Sequence, residues 1–215
     1  MLGSKSAEKS VTEVRLVEAA AQLFARHGFK ATTTREIASF ADLNEATLFR
    51  YFPRKSDLFW AAVESHVARV RMSRDLQTSL VAEQPPRDVV PKIVRFLLDT
   101  LRLQPELERL LHVAAFELPE ANTVMREYLG PTYDMICDYF RRCGERGAIR
   151  DVDPALVTLG LLGAVSTHQA LYRLFSRETV QPLDPELAIA AYSRFVLDAI
   201  QAVPVAQTDL PAQEN

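Results

Sequence analysis

Two helix starts lie eleven residues apart, at Thr33 and Asn44, in the run TTTREIASFADLNEATLFRYFP (32–53), and no other feature narrows the possible folds as much. Thr33-Thr34-Arg35-Glu36 is a capping box, with a hydroxyl at the cap and a carboxylate three residues later. Asn44 is a good cap for a second start, and Asp42-Leu43-Asn44 reads as the turn between them. Pro53 then stops the second helix. The chain must therefore make two short helices, about 34–41 and 45–52, joined by a tight turn, with Leu48 and Phe52 facing inward. Arg35, Arg50, Arg54 and Lys55 surround the second of them. Two short helices, a three- or four-residue turn and a basic end form a helix-turn-helix, whose second helix is small enough to enter a major groove.

The flanking sequence is helical throughout. Val14, Val17, Ala21 and Phe24 make an apolar stripe on a helix at about 11–28, stopped by His27-Gly28. Phe59, Val63, Val67 and Val70 share one face of a long helix expected over 55–79. Gln84-Pro85-Pro86 breaks the chain, and Val90, Ile93, Val94, Leu97 and Leu101 pattern the next helix. Pro105, Pro119 and Gly130-Pro131 punctuate a short helix at 105–115 and a longer one, kinked or split, at about 120–145. Asp153-Pro154 and Asp184-Pro185 open helices at 154–175 and 185–202. Few glycines (seven) and high aliphatic content agree with an all-α chain of about nine helices. The expected organisation is an arm and DNA-binding bundle over 1–58, a larger helical domain over 59–203, and a tail over 204–215.

The formal net charge of −3 argues against nucleic acid until it is divided along the chain. Residues 1–60 carry nine Lys/Arg against seven Asp/Glu, while the rest carries sixteen against twenty-one. The basic excess therefore lies with the helix-turn-helix. Cys137 and Cys143 are six apart on one helix and cannot bridge each other, which fits a reducing cytoplasm. The polar start MLGSKSAEKS does not read as a signal peptide, and ALVTLGLLGAV (155–165) is too short to span a bilayer. No membrane partner is expected.

The stretch AAAQLFARHGFKATTTREIASFADLNEATLFRYFPRKSDL (19–58) resembles the TetR family of bacterial transcriptional regulators. The resemblance rests on AA-x-x-LF-A-x-x-GF-x-x-TT-x-x-x-IA followed by TL-aromatic-x-YF-x-x-K-x-x-L, about a fifth of the chain. RGAIRDVDP (146–154) is similar to the stretch many members carry before their eighth helix. The resemblance implies base contact from Arg35 and from Glu45, Ala46 and Phe49. It implies phosphate contact from Thr33, Thr34, Thr47, Tyr51 and Lys55. Chemistry is compatible: Arg35 can fork onto guanine, Glu45 can accept from a cytosine amine, and Ala46 and Phe49 can touch a thymine methyl. Hydroxyls, Lys55 and the Asn44-capped helix start suit phosphates. Plainer roles stand beside these. Glu45 can simply favour the positive end of its own helix, Thr33 is a cap first, and Arg50 can be a solvated or backbone-contacting side chain. Lys5 and Lys9 can reach a minor groove or stay disengaged. Asp42, Phe49 and Arg54 stand where the family usually has glycine, tyrosine and a small capping residue.

A helix apolar on every side is buried on every side, and 155–165 has one polar side chain in eleven positions. The last two helices are therefore expected to meet their copies across a two-fold axis through Leu156, Gly160, Gly163, Ala164, Leu187, Ala191 and Phe195. The alternative is packing within one subunit. A two-fold homodimer would read a near-palindromic double-stranded DNA operator. The resemblance implies a cavity for an unidentified small-molecule effector among the middle helices. Its candidate lining is Leu97, Leu101, Phe116, Met125, Tyr128, Tyr133, Cys137, His168 and Tyr172, each of which can equally be ordinary core. That set suggests an apolar, aromatic or lipid-like molecule that releases a repressor from DNA, with the helix at 55–79 carrying the signal. The alternative is a helical interaction or architectural module with little DNA sequence specificity. No nucleophile–base pair, phosphate loop, metal cluster or cofactor motif points to an enzyme.

Overall fold

The computed structural model describes residues 10–175 and 184–201, and every regular element among them is helical. Four short helices come first: α1 (Val11–His27), α2 (Thr34–Phe40), α3 (Glu45–Tyr51) and α4 (Lys55–Val67). Six more follow: α5 (Arg74–Val81), α6 (Pro86–Leu103), α7 (Pro105–Glu117), α8 (Ala121–Glu145), α9 (Pro154–Phe175) and α10 (Pro185–Ile200).

Local chemistry sets most of these boundaries. Thr33 and Glu36 form both halves of the capping box, with the Thr33 N–H on Glu36 Oε2 at 2.8 Å and the Glu36 N–H on Thr33 Oγ1 at 3.2 Å. Asn44 Oδ1 accepts the Thr47 N–H at 2.7 Å and so opens α3. Asp153 and Asp184 accept the N–H groups of Ala155 and Glu186 at 2.8 and 2.9 Å, just where Pro154 and Pro185 begin α9 and α10. Pro131 lies inside α8, which is continuous rather than split.

The helix expected over 55–79 is two helices, because a second cap intervenes. Ser73 accepts the Leu76 N–H at 3.1 Å and starts α5, while α4 ends at Val67. The apolar period ran through Val63, Val67 and Val70 and hid the break, since periodicity does not register a cap.

Buried side chains fall into two clusters. The first joins α1–α4 to α7 and the start of α8: Leu16, Phe24, Leu48 and Phe59 pack with Leu110, Ala114, Leu118 and Ala121. Phe24, Phe29, Phe59 and Trp60 stack edge-on or offset within it. The second holds α5, α6, the C-terminal half of α8, α9 and α10 around Val90, Ile93, Tyr139, Phe140 and Val165. The clusters do not separate at 58/59: α7, far along the chain, is a wall of the N-terminal bundle.

Candidate nucleic-acid interface and helical cavity

The surface of α2 and α3 is assembled from the back. Arg15, on α1, donates from Nη2 to the Ala41 carbonyl at 2.6 Å and lies 3.5 Å from Asp42. Asp42 has φ 53°, a left-handed conformation that aspartate tolerates better than most residues, and so takes the turn where glycine is usual. Thr34 Oγ1 donates to Glu45 Oε1 at 2.5 Å, pinning the start of α2 to the start of α3. Arg35, Ala46, Phe49 and Arg50 are left exposed.

The candidate contact residues divide into two groups. Arg35 forms no hydrogen bond or ion pair among the described residues. Ala46 and Phe49 show apolar surface, Phe49 being 44% exposed, and Arg50 lies 5.4 Å over the Tyr51 ring. Thr47 is half-buried. The others have internal partners. Thr33 serves the capping box, Asn44 caps α3, and Thr34 and Glu45 hold each other. Lys55 donates to the carbonyls of Phe29 and Thr32, both at 2.9 Å, and sits 4.4 Å over the Phe29 ring. Tyr51 meets Ser10 and Thr12, whose hydroxyls draw its pKa below the ordinary phenol value. Arg54 lacks a capping hydroxyl. Its N–H bonds Asp57 Oδ2 at 3.1 Å and its guanidinium grips the same carboxylate at 2.6 Å. That guanidinium holds Asp57 below the usual carboxylate range.

One contact was not legible in the sequence. Glu117, at the end of α7, accepts the Lys30 N–H at 2.8 Å across 87 residues. Its other oxygen fills the space a side chain would need at Gly28. Nearby, Trp60 Nε1 donates to Glu120 at 3.3 Å. No spacing or pattern signals a pair so far apart in the chain.

Between the two clusters lies an apolar cavity of about 260 Å³. Phe96, Leu97 and Leu101 of α6 line it, with Leu107 and Leu111 of α7, Leu129, Tyr133 and Ile136 of α8, and Leu162 of α9. Thr100, Thr132 and Ser166 supply hydroxyls, and no charged residue takes part. Of the expected lining, Leu97, Leu101 and Tyr133 are there. Phe116 must be corrected: it is 83% exposed on the outer face of α7, where the apolar residues facing inward are Leu107, Leu110 and Leu111. Met125 packs on the first buried cluster. Tyr128 is half-buried near Glu64, and its pKa is raised chiefly by desolvation. Cys137 neighbours Tyr133 without lining the cavity, and His168 Nδ1 meets the Tyr192 hydroxyl at 2.8 Å. The Tyr172 side chain lies outside the described residues, as do Lys5, Lys9 and the tail over 204–215.

On the opposite face of α9 and α10, Leu156, Leu159, Leu187 and Phe195 are each more than half exposed. A Cβ placed on Gly160 or Gly163 would meet nothing within 4 Å. Ala191 is exposed and Ala164 half-buried. Among the described residues no helix is long and apolar enough to cross a membrane, and no three His, Cys, Asp or Glu side chains group as metal ligands.

Residues 16–62 match the model of the bacterial regulatory proteins, tetR family. The HTH-type transcriptional repressor SCO4008 of Streptomyces coelicolor is 31% identical over 74% of this chain and 78% of its own length. A bacterial regulatory protein in the tetR family from Rhodococcus RHA1 superposes with TM-score 0.70 at 18% identity, over 91% of this chain and 100% of that one. AibR, solved in complex with isovaleryl coenzyme A and operator DNA, superposes with TM-score 0.63 at 21% identity, over 86% of this chain and 98% of its own.

Proposed function

The chain belongs to the tetR family of bacterial regulatory proteins, and from that premise we propose that it is a cytoplasmic homodimer that grips a near-palindromic operator with α2–α3 and releases it when a small apolar molecule enters the cavity. It is a DNA-binding regulator of transcription and not an enzyme. The observation that carries the DNA reading is the division of the interface. Thr34, Glu45 and Lys55 are tied into the scaffold, while Ala46 and Phe49 are exposed and Arg35 is exposed with no hydrogen bond or ion pair among the described residues. A rigid frame presenting an unengaged guanidinium and small apolar groups suits base edges. Repression rather than activation follows the relative SCO4008, named a transcriptional repressor, and a small-molecule effector follows AibR, solved with both isovaleryl coenzyme A and DNA.

Release requires the cavity to act on α3. The cavity wall includes Leu107 and Leu111 of α7, and the same helix sends Leu110 and Ala114 into the DNA-binding core and Glu117 to Lys30. A molecule that displaces α7 therefore moves the bundle. A molecule with equal affinity for both positions of α7 would shift nothing.

A gel shift against the protein's own upstream region, across a salt series, tests this reading. The wild type should select one site, and Arg35→Ala with Thr47→Ala should lose it. The internal engagement of Glu45 and Lys55 favours a second reading, an architectural module with few base-reading groups. Sequence-insensitive binding that disappears with salt would establish that reading instead.

A further inference from the structure

The broken helix opens a second, polar chamber against the apolar one. It measures about 490 Å³ and lies between the α4–α5 connection and α6, and it shares Val70, Phe96 and Thr100 with the apolar cavity. Arg69, Arg71, Lys92 and Arg95 border it, against Asp75 and Asp99. Most of these charges are already matched. Lys92 pairs with Asp75 at 2.9 Å, Arg95 with Glu186 at 2.6 Å, and Asp99 with Arg102 at 3.6 Å. Arg69 and Arg71 remain without an acidic partner among the described residues, and Arg71 reaches only the Val70 carbonyl. The chamber wall also holds Gln104, whose buried amide oxygen has no hydrogen-bond partner among the described residues. Amide oxygen and nitrogen interchange by a simple flip, so the same atom site can present a donor.

We propose that the effector is a single-chain amphiphile with an anionic head, a carboxylate or a phosphate. Its hydrocarbon tail occupies the cavity between α6, α7, α8 and α9, and its head sits at Arg69, Arg71 and Gln104. This rests on the effector reading above and specifies its chemistry. An anion in the uncharged inner cavity would lose its hydration with nothing to replace it. A wholly apolar molecule would leave the two guanidinium groups and the buried amide of the outer chamber without use. Val70, Phe96 and Thr100 lie on both chambers, so one molecule can run from one to the other. The head would then rest on the residues immediately following α4, whose first turn carries Lys55 against the Phe29 and Thr32 carbonyls before α2.

Isothermal titration of the full chain with decanoate, decyl phosphate, decanoyl coenzyme A and decanol tests the proposal. At least one anionic compound should bind about tenfold or more tighter than decanol, and it should release DNA in a gel shift. The tightest of the three identifies the head. Arg69→Ala with Arg71→Ala should erase the advantage over decanol, and the paired change to lysine should keep part of it. Circular dichroism of the variants guards against misfolding. Decanol binding as tightly as every anion would overturn the anionic head, and so would an advantage that survives the paired alanine change. In either case, release of DNA by decanol, blocked by Leu162→Trp, would leave the effector-cavity reading standing. If no compound binds, the proposal fails. The cavity reading fails separately if Leu162→Trp leaves induction by a neutral ligand intact.

Discussion

Arg35 and Lys55 look equivalent in the sequence, both basic and both near the recognition helix, and the structure separates them. Lys55 is held by two backbone carbonyls and an aromatic ring, so its charge stabilises the turn before α2. Arg35 is free. Arg35→Ala should therefore weaken binding to a cognate site by about 1–3 kcal/mol and relax base preference at one position, measured by fluorescence anisotropy on single-base variants. Lys55→Ala should instead lower the melting temperature. Glu36 gives a pH prediction. Its carboxylate accepts the Thr33 N–H and hydroxyl, and these bonds lower its pKa beneath the ordinary 4.5. A carboxyl with a lowered folded pKa stabilises the fold above its unfolded value and loses that contribution as pH falls through the folded one. The Thr33 amide resonance should hold constant from neutral pH to about 4.5 and move only below it.

At the scale of elements, two contacts decide how helices address one another. Gly28 ends α1 with φ 84° and ψ 171°, a region nearly confined to glycine, and a Cβ there would stand 2.6 Å from Glu117 Oε1. Gly28→Ala should cost roughly 1–3 kcal/mol from the backbone alone, and a thermal melt would detect it. Adding Glu117→Ala relieves the crowding but not the dihedral, so the double variant should stay destabilised. Glu117→Gln removes the charge on the bond to Lys30 and should reduce induction by ligand more than DNA affinity, read as the ratio of operator binding with and without effector. The α4–α5 break follows the same rule. The Ser73 hydroxyl satisfies the Leu76 N–H, which a continuous helix would have bonded internally, so a hydroxyl at the right register outweighs an apolar stripe.

At the scale of the molecule, the exposed apolar face of α9 and α10 is the surface on which the proposed homodimer rests. Phe195, 67% exposed, and Leu156, 69% exposed, border one groove between the two helices. A patch of that kind marks an interaction surface rather than ordinary solvent exposure. Leu156→Arg with Phe195→Arg should shift sedimentation from dimer to monomer at micromolar concentration. The variant should also lose most of its affinity for a palindrome, because each half-site then binds alone.

The sequence by itself determined the α2–turn–α3 unit, the helix starts at Asp153 and Asp184, and the all-helical class. The helix starts are set by groups within four residues of one another: a hydroxyl or carboxylate beside unpaired N–H groups, or a proline that has none to offer. Leu97 and Leu101 follow the apolar period of their helix and line the cavity, whereas Tyr133 is expected there only from the resemblance. The tertiary structure alone decided that α7 belongs to the DNA-binding bundle, that Phe116 faces solvent, and that Lys55 is engaged while Arg35 is not. Those outcomes depend on which faces meet across tens of residues, and a helix with apolar residues on more than one side does not record in its own pattern which of them will find a neighbour.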